Sequence, residues 1–446
     1  MKKTSLHKKL TMLVLGGIMA LSVTSAPVLA AEHKSMTLDE SIQMALENNR
    51  TIKQSAADMD SAQWTLKEAK SGTGPTLAWT STAEKVGGSY YSSPSRDRDF
   101  TNTLTASLPI YTGGKLENTV KKAELGIDVS KLSLEQSKQT IKLKATKAYY
   151  SILQCRNLVQ VDKESVDKLQ EHLQNVTAQY NAGTVAKLDI LTSQVNLVNA
   201  QQSLVTAQNN YDVAVSTFNN IVGLPTDTVV DVQEELKYEK YALVLPDCID
   251  YALQHRPESV SNDIAVKQAD AAIAAAKAGN MPQVSLTASD TIDGKDPFKK
   301  DVTDKWGVGL SASWNLFDNN VTKAQVRQAE AAKRKAEEVT AQQKETIQLD
   351  VRSAYLTMVA AEKNIQTTKT AVEQAQEAYK IAQVRYSSGV GTNVDVLDEQ
   401  VALTTAQTNY IQALYDYNTG KASLDNAMGV PVDLDASQYA VNQESK

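Results

Sequence analysis

Two periods of apolar spacing alternate along the chain. From Ile347 through Val351, Ala354, Met358, Ala361 and Ile365, and on through Thr368, Val372, Ala375, Tyr379 and Ala382 to Tyr386, the spacing alternates four and three without a break. An earlier stretch carries the same seam from Ile141 through Ala145, Ala148, Ile152, Cys155 and Val159 to Val166, Leu169, Leu173, Val176 and Tyr180. Sustained heptads predict helices packed as coiled coils, and the many alanines predict close helix approach. Between Pro75 and Gly113 the period drops to two. Phe100, Leu104, Ala106, Leu108 and Ile110 share one face of an extended segment, with Thr101, Thr103, Thr105 and Ser107 on the other. Trp306, Val308, Leu310, Ala312, Trp314 and Leu316 repeat this pattern later. The partner strands are Thr76 to Val86 and Gln283 to Ile292, joined through polar loops holding Gly87, Gly88, Pro94, Gly294 and Pro297. Strands of about ten residues with one apolar, aromatic-bearing face fit transmembrane β-strands, the alternative being a soluble hairpin packed on a helix.

The alternation of periods reflects a duplication. Leu38 to Pro75 lies over Leu245 to Pro282 at an offset of 207, and Leu104 to Asp227 lies over Leu310 to Asp433 at an offset of 206. Within the second block Ala148-Tyr149 matches Ala354-Tyr355, Gly183 matches Gly389, Asp189 matches Asp395 and Gly223-Leu224-Pro225 matches Gly429-Val430-Pro431. The expected organisation is a leader at 1–30, a first repeat at 31–225 with its hairpin at 76–111, and a linker at 226–244. A second repeat follows at 245–433 with its hairpin at 283–317, then a tail at 434–446.

Lengths turn each repeat into a rod. The helical run from Gly113 to Asn181 would be about 100 Å long at 1.5 Å per residue. Leu38 to Ser71 and Thr184 to Val222 are each about half as long and run opposite to it, one at each end. The hairpin then sits at one end of the rod and a tight turn, Asn181 to Lys187, at the other. Four strands cannot close a barrel, and open strand edges are not tolerated in lipid, so the chain is expected to oligomerise. Three chains would supply twelve strands, although the residues alone leave two, three or four open.

Charge and chemistry narrow the function. Lys2, Lys3, Lys8 and Lys9 precede an apolar stretch ending in Val28-Leu29-Ala30, the layout of a secretory signal peptide. Removing those four charges takes the net charge from −6 to about −6 − 4 = −10, which disfavours nucleic acid as a partner. The two cysteines, Cys155 and Cys248, are too few for a disulfide framework and are expected as free thiols, one in a helix seam. No phosphate loop, HExxH or paired CxxC is present, and the four histidines are scattered, His172 being expected as a solvated side chain. No cofactor, metal or catalytic group is expected, and energy for any transport must come from a partner.

The duplicated unit, the strand end Leu108-Pro109-Ile110-Tyr111-Thr112-Gly113-Gly114 and two turn motifs together resemble the TolC family of outer-membrane efflux proteins over essentially the whole mature chain. The turn motifs are Gln179-Tyr180-Asn181-Ala182-Gly183 with Leu188-Asp189-Ile190-Leu191, and Arg385-Tyr386-Ser387-Ser388-Gly389 with Val394-Asp395-Val396-Leu397-Asp398. The resemblance implies a mainly α fold with a membrane β-barrel. Long antiparallel coiled-coil helices would form an α-barrel tunnel across the periplasm, and four strands per chain would close a 12-stranded barrel as a homotrimer in outer-membrane lipid. It also implies docking to a periplasmic adaptor (membrane fusion protein) and an inner-membrane pump, as the exit channel of a tripartite efflux pump or type I secretion system. A periplasmic coiled-coil adaptor or structural rod is the alternative, disfavoured because no Gly- and Val-rich lipoyl-like or small barrel domain is present.

The same resemblance places a periplasmic gate at the turns. Asp395 and Asp398 are three apart and share a helical face, with Asp189 the first-repeat counterpart of Asp395, so several copies would form acidic rings that favour cations. The plainer role for such aspartates is capping a helix start. Tyr180 and Tyr386 end their seams beside the turns, either closing the coiled coil or hydrogen-bonding across it. Gly183 and Gly389 are expected as left-handed helix ends whose bare backbone a partner helix could approach, making them, with Gly391, candidate adaptor-docking tips. Some family members carry a basic residue two positions after the tip glycine. Here that position is Gly391, so the closed-state lock is expected to be weaker or built differently.

Overall fold

The computed structural model describes residues 34–85, 98–295 and 302–432. The expected leader, the tail, Val86 and the loop residues Gly87, Gly88, Pro94 and Pro297 lie outside them. Within each repeat two short helices come first: α1 (Leu38–Asn48) and α2 (Arg50–Ser71), then α5 (Leu245–His255) and α6 (Pro257–Lys277). What reads as one helix from Leu38 to Ser71 is thus two. Asn49 adopts an extended backbone, caps Thr51 N–H at 2.9 Å and donates through its side-chain amide to Ile221 O at 3.0 Å. The second repeat makes the same break at Arg256, where the following Pro257 excludes the helical conformation.

The hairpin strands are β2 (Thr76–Lys85) and β3 (Arg98–Tyr111) in the first repeat and β5 (Gln283–Gly294) and β6 (Val302–Ser313) in the second. β6 stops before Trp314 and Leu316, which the alternation had included. Its partner β5 begins at Gln283, opposite Ser313, so no backbone remains to pair with them. The four strands form one antiparallel sheet in the order β2-β3-β5-β6. Gly113 and Gly114 turn the chain from β3 into the long helix α3 (Lys115–Asn181) with φ of 66° and 88°. Asn319 and Asn320 do the same before α7 (Val321–Ser387), also 67 residues long, at φ of 53° and 66°. Each long helix spans about 100 Å. The return helices are α4 (Lys187–Val222) and α8 (Asn393–Met428).

Packing arranges these helices as a strip. In the half near the turns α4 packs on α3, α3 on α8 and α8 on α7; in the half near the sheet α2 packs on α3, and α6 lies between α3 and α7. Ile141, Ala145, Ala148, Ile152, Ile347, Val351 and Met358 from the heptad seams are buried in the main core. Cys248, on α5, is fully buried, whereas Cys155 in the seam is only partly so; burial pushes the thiol of Cys248 up to about 12.

The expected linker is a belt tied into this core. Its strand β4 (Val230–Val232) pairs in parallel with β1 (Lys34–Met36), and Val230, Val232 and Leu236 are buried. Arg156 on α3 donates to Val232 O at 2.7 Å and Glu234 O at 2.9 Å, and Tyr417 on α8 donates to Glu239 O at 2.6 Å. The belt joins both repeats at the middle of the rod.

Candidate functional site: the two turns and the sheet face

The turns that end α3 and α7 have the same construction. Gly183 N–H donates to Tyr180 O at 2.8 Å and Thr184 N–H to Gln179 O at 3.0 Å, while Gly389 and Val390 repeat these bonds to Tyr386 O and Arg385 O. This is the Schellman arrangement, which needs a left-handed residue; φ is 77° at Gly183 and 74° at Gly389. A Cβ on either glycine would meet nothing within 4 Å. Gly391 differs. A Cβ there would lie 3.0 Å from Tyr386 N and 3.1 Å from Arg385 Cβ, because the chain folds back on the end of α7. Gly391 therefore serves the turn itself, and a basic side chain at this position would strain it.

Two of the three aspartates cap helices. Asp395 accepts from Thr392 N–H at 3.0 Å while Thr392 Oγ1 accepts from Asp395 N–H at 3.1 Å, a reciprocal capping box that holds the carboxyl below its usual range. Asp189 accepts from Ala186 N–H at 3.2 Å but gets no side-chain bond in return, since Ala186 has no acceptor to offer. Asp398 is exposed one turn further along α8.

Tyr180 and Tyr386 part company. Tyr386 is 8% exposed, with its phenol oxygen buried and without a hydrogen-bond partner among the described residues, and burial raises its pKa. Tyr180 is 40% exposed, so only the second seam ends in a buried aromatic.

Beside Tyr386 lies a polar cluster that spacing alone did not reveal. His172 is 6% exposed rather than solvated, its ring 5.2 Å from that of Tyr386. Asn393 donates to Asp189 O at 3.2 Å, leaving its own Oδ1 to accept from Ser193 Oγ at 3.2 Å and His172 Nε2 at 2.6 Å. That assignment puts the proton of the neutral imidazole on Nε2. Burial lowers the His172 pKa, and the Asn393 bond opposes the shift. His172 on α3, Asp189 and Ser193 on α4 and Asn393 on α8 thus join the two helical hairpins close to the turns. The detectable signal is asymmetry between repeats, since the counterparts of His172 and Asn393 are Ala378 and Lys187.

At the other end, the sheet separates two chemistries. Across all four strands Leu77, Ala106, Ala288 and Val308 form one row, and Leu108, Leu286 and Leu310 another; the row Trp79, Leu104, Asp290 and Trp306 carries one acid. The opposite face holds Thr76, Ser107, Thr287 and Gly309, then Ala78, Thr105, Ser289 and Gly307, with Thr103 and Thr291 hydroxyls 3.3 Å apart. Leu77, Trp79, Trp306, Val308 and Leu310 are exposed, and among the described residues the outer edges of β2 and β6 have no partner strand. An apolar outer face, a hydroxyl-lined inner face and two unpaired edges are the features of a barrel segment in lipid. No described helix is long and apolar enough to cross a membrane.

A duplicated helical rod capped by such a sheet defines the class, and comparison with known proteins agrees. The profile of the outer membrane efflux protein family matches residues 41–224 and 248–430, so the chain belongs to that family. The outer membrane protein TolC of Escherichia coli (strain K12) is 26% identical over 410 residues, covering 87% of this chain and 81% of TolC. The alkaline protease secretion protein AprF of Pseudomonas aeruginosa is 24% identical over 360 residues, 78% of this chain and 73% of AprF. The Campylobacter jejuni outer membrane channel CmeC superposes with a TM-score of 0.76 at 18% identity, over 92% of this chain and 89% of CmeC. The protein is an outer-membrane exit duct that extends into the periplasm.

Proposed function

We propose that the chain works as a homotrimer, in which three four-stranded sheets close a 12-stranded barrel and twelve helices continue it as a tunnel. The observation carrying this reading is the sheet itself, whose unpaired edges and apolar face leave a single chain incomplete in lipid. The turns at Gly183 and Gly389, about 100 Å from the barrel, dock onto a periplasmic adaptor that links the duct to an inner-membrane pump. The family's description points to efflux and the name of AprF to protein secretion, so the cargo class is drugs, toxic solutes or polypeptides. At the turns the exposed carboxylates of Asp395 and Asp398, with Asp189, ring the entrance and favour cations, while Tyr180 and Tyr386 border it. The first two steps are tested by mass measurement in detergent, where three chains are expected. A soluble single chain without detergent would overturn the barrel.

A further inference from the structure

We propose that the bilayer sits low on the sheet. Its outer boundary follows the row Trp79, Leu104, Asp290 and Trp306, its periplasmic boundary follows Trp314, Leu316 and Phe317, and the strands continue past the outer headgroups as a collar in water. This rests on reading the sheet as part of a barrel in lipid, and it adds where the lipid stops.

Row by row, the lipid-facing side changes character along the strands. Nearest the helices it is apolar, with Leu108, Leu286 and Leu310, then Leu77, Ala106, Ala288 and Val308. The next row sets two tryptophans and Leu104 beside a carboxylate, that of Asp290, which pairs directly with Trp306. Beyond it come Ser81, Asn102, Ile292 and Asp304, and the first hairpin ends on Lys85 opposite Arg98. Asp290 and Asp304 are both exposed, on neighbouring strands and two residues out of register, so the change from apolar to charged falls at one level on both. Indole rings gather where one side is apolar and the other wet, and a charge facing lipid is disfavoured according to its depth. A row that holds both marks the headgroup level.

The other margin lies just past the end of β6. Trp314 is 59% exposed, and Leu316 and Phe317, at 80% and 84%, are the most exposed large apolar side chains among the described residues. Trp314 is held in place there, its indole N–H donating to Asn280 O at 3.0 Å. Immediately below, the first turns of α3 and α7 present the exposed Lys115 and Lys323, cations suited to lipid phosphate. From Trp306 to Trp314 is about 27 Å of extended chain, or about 20 Å of height at a strand tilt of about 40°. Leu316 and Phe317 bring this close to the roughly 25 Å of an outer-membrane apolar band.

A bilayer centred on the whole sheet has one observation in its favour, the apolar row Ala83, Phe100 and Val302 near the outer end. That placement sinks Asp290, Asp304 and Asn102 into hydrocarbon in every copy and leaves Leu316 and Phe317 in water. The low placement wets only that one row, in which Ala83 is small and Phe100 is already partly buried within the chain.

Two measurements on the full chain in phosphatidylcholine vesicles separate the placements. Trp64→Phe with Trp314→Phe leaves Trp79 and Trp306 as the emitting indoles, both in one row. Lipid brominated near the headgroup should quench them about threefold or more better than lipid brominated near the chain end. A ratio of one or below puts the row at mid-bilayer and overturns the low placement. Spin labels on Leu310→Cys, Asp304→Cys and Val302→Cys, with Cys155→Ser as background and the fully buried Cys248 retained, give the second readout. Relaxation by oxygen should exceed relaxation by a water-soluble nickel chelate at the Leu310 site, and the order should invert at the Asp304 and Val302 sites. Oxygen dominance at Val302 equal to that at Leu310 overturns the boundary and leaves the barrel in lipid standing. Nickel dominance at Leu310 as well overturns the barrel reading itself.

Discussion

Replacing Asn393 by alanine should loosen the turn end of the rod without disturbing its middle. The side chain accepts from His172 and Ser193 and donates to Asp189 O, so Asn393→Ala strands two buried donors and one carbonyl. A buried polar group left unsatisfied costs about 1 to 3 kcal/mol. Water can reach part of this cluster from the exposed turn, so the net loss is about 2 kcal/mol rather than the sum of all three. That loss falls on a small satellite core of Val176, Tyr379, Ala382, Tyr386, Val396 and Leu403, separate from the main one. Local opening should therefore rise about thirtyfold in the last turns of α3 and α7, since each 1.4 kcal/mol is tenfold. Hydrogen exchange read by mass spectrometry on peptides from 170–200 and 375–400 measures this, with peptides around Tyr149 and Ile347 as the unchanged reference. A change below threefold near the turns would refute the latch, as would a uniform rise along the whole helix.

Lowering pH should act through the same cluster. Burial depresses the His172 pKa, so its neutral state stabilises the fold fully above the ordinary histidine value, and that contribution is lost as pH falls through the lowered one. After correction for the slower intrinsic exchange in acid, opening near the turns should increase between pH 7 and 5 in the native chain and not in His172→Gln, whose amide can still donate to Asn393. In the sheet, Leu310→Arg should cost about 2 to 4 kcal/mol per chain if the side chain lies at the bilayer midplane, read as loss of outer-membrane insertion in cell fractions. Gly183→Trp with Gly389→Trp should leave mass in detergent unchanged, adding about 1 to 2 kcal/mol of backbone strain at each turn, but abolish export and adaptor cross-linking. Asp395→Asn with Asp398→Asn should reduce cation preference in single-channel recordings; unchanged selectivity would leave both aspartates with structural roles alone.

The heptads, the two-residue alternation and the duplication could all be read along the chain because each is a local pattern repeated many times. The turns were legible for the same reason, since Gly183 and Gly389 sit where both seams stop. What escaped depends on residues far apart in sequence. His172 meets Asn393 across 221 positions, and only the antiparallel fit of α3 to α8 brings them together. A strand of three residues such as β4 carries no alternation to notice. Asn49 breaks a helix without proline or glycine, through a bond to Ile221 that only the return of α4 supplies. Trp314 continued the apolar alternation beyond the strand because its ring stays at the exposed end of the sheet while its indole N–H donates to Asn280 O at 3.0 Å.

The clasp between β1 and β4 sets an order on maturation. Lys34–Met36 lies near the start of the chain, but its partner, Val230–Val232, comes 196 positions later, after the entire first repeat. Closing so long a loop adds little further entropic cost, yet the contact cannot form until both ends are present. Arg156 on α3 waits for the same event through its bonds to the belt, whereas the hydroxyl of Tyr149 donates to Met36 O at 3.2 Å, a partner already present. A chain crossing into the periplasm from its first residue onward thus cannot finish its first rod until the linker that leads to the second repeat has followed it across.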